Sequence, residues 1–132
     1  MPQPRPAADL ALLFAALADP TRLRLLNLMN GREVCVCYFV EILRQGQPKI
    51  SRHLAYLRRA GLVEARREGK WMHYRIAEPR NLAATRILEE TLAVLRSQPR
   101  TQSDLARLNR ACCTPQLISA PTPLVLASSL TR

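Results

Sequence analysis

Residues 47–76, "QPKISRHLAYLRRAGLVEARREGKWMHYRI", change period part-way along, and that change narrows the fold more than any other feature. In the first half Ile50, Leu54 and Leu57 fall within about 60° of one another at 100° per residue, forming one apolar stripe of a helix. Arg52, Ala55, Tyr56 and Arg59 lie on the opposite side, with His53 on the boundary and Gly61 as a stop. Beyond Gly61 the period drops to two, in a pair of runs around Glu68-Gly69-Lys70. That is the pattern of a β-hairpin turning at Gly69. A helix with one face to bury and a hairpin behind it needs a helical body to pack on.

The upstream sequence supplies that body. Leu10, Leu13, Phe14 and Leu17 repeat at helical spacing over 8–17. Asp19 then caps a second helix with Pro20 at its first position, and a Gly ends it. A short third helix is predicted over 36–44, ended near Gly46. Downstream, a helical pattern resumes near Asn81 with Ile87, Leu88, Leu92 and Leu95. A second short helix from Ser103 would carry Leu105, Leu108 and Cys112 on one face. Helix, helix, short helix, helix, hairpin, helix is the order of a winged helix-turn-helix: mainly α, with a small β-hairpin. The fourth helix would then read the major groove, and the hairpin tip would reach backbone or minor groove.

A lone reader helix binds weakly, so a homodimer is predicted, its seam built from the first helix and residues 81–95. The 132 residues fit one compact domain with tails. Residues 1–7 are predicted to be mobile, 8–97 to form the DNA-binding and dimerisation domain, and 98–113 a helical segment ending in a cysteine pair. Residues 114–132, rich in Pro, Ser and Thr, read as a disordered tail. No apolar run reaches the roughly 18 residues of a membrane span. The apolar N-terminal stretch reads as a packed helix rather than a targeting segment.

Charge sharpens the functional reading. Residues 1–43 carry four basic and four acidic side chains, whereas 44–75 carry nine basic and two acidic, +7 of the total +10. Positive charge gathered in this way is the footprint of a polyanion, double-stranded DNA above all. Gln47, Lys49, Ser51 and Arg52, at the start of the fourth helix, are placed to approach base edges, with His53 and Tyr56 close by. Arg59, Arg66, Arg67 and Lys70 are assigned to phosphates, which position a protein without reading sequence.

The four cysteines come as two close pairs, Cys35–Cys37 in "EVCVC" and Cys112–Cys113 in "RACCTP". In a cytoplasmic setting, where thiols stay reduced, such spacing indicates ligand binding or redox chemistry more than structural disulfides. Thiolates are soft ligands for Zn²⁺, Cu⁺ and similar ions. Positions i and i+2 of a regular helix point about 200° apart. Cys35 and Cys37 therefore grip one ion only at a frayed helix end, or if the ion unwinds that turn. Either way, ion capture is linked to the helix preceding the reader. The helix dipole and nearby arginines are expected to lower the thiol pKa below about 8.5. No C-x-x-C motif, Gly-rich phosphate loop or carboxylate pair near a cysteine occurs, and both histidines fall in the reader and the wing. The chain is not expected to be an enzyme.

With these residues in view, 8–77 resemble the ArsR family of metal- and metalloid-responsive repressors, on "ALADPTRLRLL", "EVCVC" and the whole of 47–76. The resemblance implies a homodimeric winged-helix repressor, needing no cofactor, that leaves its operator when trivalent arsenic or antimony binds cysteine thiolates. Similar proteins carry a further Cys three residues after the CxC, where this chain has Val40. The missing third ligand could come from Cys112 or Cys113 of either protomer; otherwise a two-sulfur site would favour an organoarsenical. A Zn²⁺ or Cd²⁺ sensor using all four sulfurs and a thiol-redox repressor are the competing readings.

Overall fold

The computed structural model describes residues 10–78 and 81–112, with Cys112 described by its backbone only. The predicted mobile N-terminus, the predicted tail and Cys113 lie outside the described residues. The elements are α1 (Leu10–Leu17), α2 (Pro20–Leu28), β1 (Val34–Cys35), α3 (Val36–Leu43), α4 (Gln47–Arg59), β2 (Val63–Glu68), β3 (Trp71–Ile76), α5 (Leu82–Arg96) and α6 (Pro99–Cys112).

Local chemistry sets most of these boundaries. The Asp19 carboxylate accepts the N–H groups of Thr21 and Arg22 at 2.8 and 3.1 Å, satisfying donors that the first turn of α2 leaves free. Asn81 does the same for Ala83 and Ala84 at the head of α5. At the other end of α4, Gly61 adopts φ +79 and Leu62 N–H donates back to Leu57 O at 2.9 Å, a Schellman closure. That closure turns the chain straight into β2. Ile50, Leu54 and Leu57 are fully buried, and so are Leu25, Leu26, Leu28 and Phe39. Phe39 meets Tyr74 at 6.4 Å between ring centroids, joining α3 to β3.

The fold departs from expectation in two places. A third strand, β1, joins the hairpin in the order β1-β3-β2, pairing Val34 with Tyr74 and Cys35 with His73. Two residues give no alternation to read, so only their partner reveals them as strand. Second, α6 starts at Pro99 rather than Ser103. Proline costs no hydrogen bond in a first turn.

α6 is docked, not appended. Arg24 grips Asp104 through two bonds, Nε–Oδ2 at 2.7 Å and Nη2–Oδ1 at 2.9 Å, and Asp104 is wholly buried. Asn27 donates to Thr101 O at 3.1 Å, Arg107 donates to Ile42 O at 2.9 Å, and Leu108 is buried. The pairs 27–101 and 24–104 make α6 antiparallel to α2. Gln45 bonds Thr21 at 3.2 Å, so α3 also returns antiparallel to α2. α6 therefore runs in the same sense as α3 and meets its C-terminal end, away from Cys35. Among the described residues no helix is long and apolar enough to cross a membrane.

Candidate nucleic-acid interface and thiol site

With one face of α4 sealed against the core, the other faces solvent. Gln47, Lys49, Arg52, Ala55 and Arg59 are exposed and Ser51 is half-buried. At the hairpin tip Arg67 and Lys70 are exposed around Gly69, whose φ of +63 makes the two-residue turn possible. Lys70 Nζ sits 5.7 Å from the ring centroid of Trp71, itself about half exposed.

Three residues expected at this surface are engaged within the fold. The His53 Nδ1 atom lies 3.2 Å from Arg22 Nη1 and 4.0 Å from Asp19. A guanidinium only donates, so Nδ1 accepts and the ring is neutral. Burial holds the His53 pKa below its ordinary value; Arg22, Lys49 and Arg52 push the same way and Asp19 opposes. Tyr56 is half-buried between the guanidiniums of Arg22 and Arg59, 4.1 and 4.9 Å from its ring centroid. Arg66 reaches Glu33 with Nη2–Oε1 at 2.6 Å and Nε–Oε2 at 3.0 Å. That pairing, ahead of a partial desolvation penalty, keeps the Glu33 carboxyl below the usual range. Glu33 escaped the sequence reading because 33 residues separate it from Arg66 and no local pattern links them. It pins the wing to the residue just before β1.

The cysteine pair sits at the same junction. Cys35 is the N-cap of α3, with extended backbone at φ −74 and ψ 143, and Cys37 lies in the first turn. One residue outside the helix and one inside, their sulfurs converge to 3.3 Å. A regular helix would have turned them apart; the strand end removes the conflict, and no unwinding is needed. Cys35 is buried and Cys37 exposed, so the site is open on one side. Through β1, Cys35 is hydrogen-bonded to the wing as well as continuous with α3.

The expected low thiol pKa is corrected for Cys37, which is pushed up to about 12. Partial desolvation of the sulfur contributes most, although the residue as a whole is exposed. The hydrogen bond to Cys35 and the charges of Cys35 and Glu41 add to it. A thiolate beside a second sulfur outweighs the weak field of a short helix. Val40, in the position of the absent third cysteine, is half-buried. Among the described residues no three His, Cys, Asp or Glu side chains gather as a metal site.

A family model described as "Bacterial regulatory protein, arsR family" matches residues 19–65. The arsenical resistance operon repressor of Escherichia coli K12 is 42% identical over 102 residues, 76% of this chain and 86% of that protein. The chain belongs to the arsR family. HlyU from Vibrio cholerae shares the ArsR-type winged-helix fold at 27% identity and TM-score 0.59, over 70% of this chain and 97% of that one. The repressor BigR from Xylella fastidiosa does so at 30% identity and TM-score 0.55, over 70% and 91%. Like its relatives, this arsR-family chain is a transcriptional regulator and not an enzyme.

Proposed function

We propose that this protein represses transcription as a homodimer on operator DNA and releases it when trivalent arsenic or antimony bonds to Cys35 and Cys37. The observation that carries the reading is the 3.3 Å sulfur pair at the head of α3, tied through β1 to the wing. An ion drawing on both sulfurs pulls on the two elements that aim α4 and the hairpin at DNA. At a sulfur–ion distance of about 2.3 Å, a 3.3 Å bite subtends about 92°. A tetrahedral ion such as Zn²⁺ would want the sulfurs about 3.8 Å apart. A right angle suits a pyramidal trivalent centre bonding through p orbitals. A relative from Escherichia coli is named for arsenical resistance, which agrees. Third-ligand donation by Cys112 or Cys113 within one chain is disfavoured, because α6 reaches α3 at the opposite end. The partner's tail, hydroxide or an organic group is left for the third valence.

On DNA, Gln47, Lys49, Ser51 and Arg52 face the bases, and Arg59, Arg67 and Lys70 the phosphates. Half-exposed Leu10 and Phe14 on α1, with Leu82 and Val94 on α5, supply the apolar seam of a dimer. If the dimer neutralises roughly 6–10 phosphates, affinity should fall about 10³–10⁵-fold between 50 and 200 mM salt. Anisotropy of a labelled duplex measures this.

A Zn²⁺ or Cd²⁺ reading has some support, since relatives include a SmtB homologue and a probable mercury resistance repressor. Acidity separates it from arsenite. With its pKa near 12, Cys37 is a protonated thiol at neutral pH. A divalent cation must expel that proton to solvent, so its affinity rises about tenfold per pH unit for Cys37 alone. Arsenous acid loses one hydroxide per thiol, and each hydroxide leaves with the thiol proton as water. Arsenic stays trivalent and no net proton is released. Between pH 6 and 8 arsenite affinity should be nearly flat, as read by isothermal calorimetry in several buffers; a steep rise would favour the cation.

A further inference from the structure

The basic surface does not end with the reader and the wing. A cleft of about 470 Å³ opens where α6 meets the C-terminal end of α3, and Arg24, Arg44, Arg100 and Arg107 all line it. The one carboxylate on its wall, Asp104, is buried and already held by Arg24, with Arg107 at 3.7 Å. Arg44 and Arg100 are exposed and make no ion pair among the described residues. Ser103 adds an exposed hydroxyl.

Backbone geometry gives a second, independent pointer. Arg44 ends α3 in the left-handed region at φ 57, ψ 43, and among the described residues it is the one non-glycine with positive φ. Glycine takes that conformation freely and is the ordinary choice there. A side chain kept at such a position in spite of strain is a mark of function. Four guanidiniums against one carboxylate also repel one another unless an oxyanion with several acceptor oxygens sits among them. Two residues beyond Arg44, Gly46 caps α4, whose first turn exposes Gln47 and Lys49. Chain leading into a groove-reading helix passes close to the phosphate backbone.

We propose that the α3–α6 cleft is a phosphate-oxyanion site, filled by a backbone phosphate of the bound DNA. The C-terminal helix, which lies outside residues 19–65, thereby becomes part of the DNA-binding surface. This rests on the DNA-binding reading above.

The test uses the full chain with Arg44→Gly and Arg100→Ala together, and with Arg44→Gly alone. Arg24 and Arg107 are left in place because they hold α6. Anisotropy is recorded on a palindromic promoter fragment and on a random duplex of equal length, across about 50 to 300 mM KCl. The expected slope of log affinity against log salt falls by about 0.9 per arginine per protomer, so by about 1.8 for the double variant. The loss should be equal on both duplexes, since phosphates carry no sequence. The melting midpoint of Arg44→Gly should match or exceed that of wild type. An unchanged slope in the folded double variant overturns the proposal, and so does a loss confined to the promoter fragment. A wild type that binds no duplex at all defeats the DNA reading instead. Inorganic phosphate at fixed ionic strength then decides the cleft: a midpoint rise lost in the double variant upholds an oxyanion site, and no rise overturns it.

Discussion

Cys37→Ser protein should hold DNA as tightly as wild type in the absence of inducer, and arsenite should release none of it. Cys37 is exposed and close to isosteric with Ser, so the substitution disturbs little packing. What it removes is the second sulfur of a chelate. The remaining thiol of Cys35 is buried and offers one bond to a centre that needs at least two. A coupling of about 1–3 kcal/mol weakens DNA binding roughly 5–150-fold when the inducer is bound, and all of it should vanish. The contrast with Cys112→Ser/Cys113→Ser is informative. If hydroxide or an organic group fills the third valence, that variant should still respond. A response lost in it would move the third ligand to the C-terminal cysteines of the partner.

The largest effect on stability should come from Asp104→Ala. Asp104 is fully buried and the Arg24 side chain is 14% exposed, so deleting the carboxylate strands a guanidinium with almost no access to water. Breaking one partner of such a pair costs about 3–5 kcal/mol, a large share of the roughly 5–15 kcal/mol that a small domain has. Urea unfolding should show it as a lower midpoint at unchanged slope. Replacing both partners, as Arg24→Met with Asp104→Leu, should recover most of the loss because no unpaired charge remains. A single-variant loss below about 1 kcal/mol would mean that the pair does not dock α6.

The parts of this fold that were readable in advance share one property: their determinants are local. Asp19 with Pro20, Gly61 and Gly69 each act within a few residues, and the Ile50–Leu54–Leu57 stripe declares its own buried face. β1 was not readable because a two-residue strand exists only through Tyr74 and His73. The same gap hid how Cys35 and Cys37 converge. From the sequence their spacing looked like a helical conflict, and the resolution depended on Cys35 being strand rather than helix. Charge told where DNA should lie but not which arginines were free for it. Arg66 and its partner Glu33 are as far apart in sequence as Arg22 and Tyr56, and only tertiary contact separates a phosphate ligand from a clamp.

The central claim is that filling the Cys35–Cys37 pair loosens the grip of α4 and the wing on DNA. Its most direct test titrates arsenite into the protein–operator complex while following two signals together. Operator anisotropy reports release, and the ultraviolet absorbance of arsenic–thiolate bonds reports occupancy. The account predicts that both change with one midpoint, and that DNA affinity falls at least about 5-fold at saturation. Full arsenic–thiolate absorbance with the operator still bound at its original affinity would contradict it.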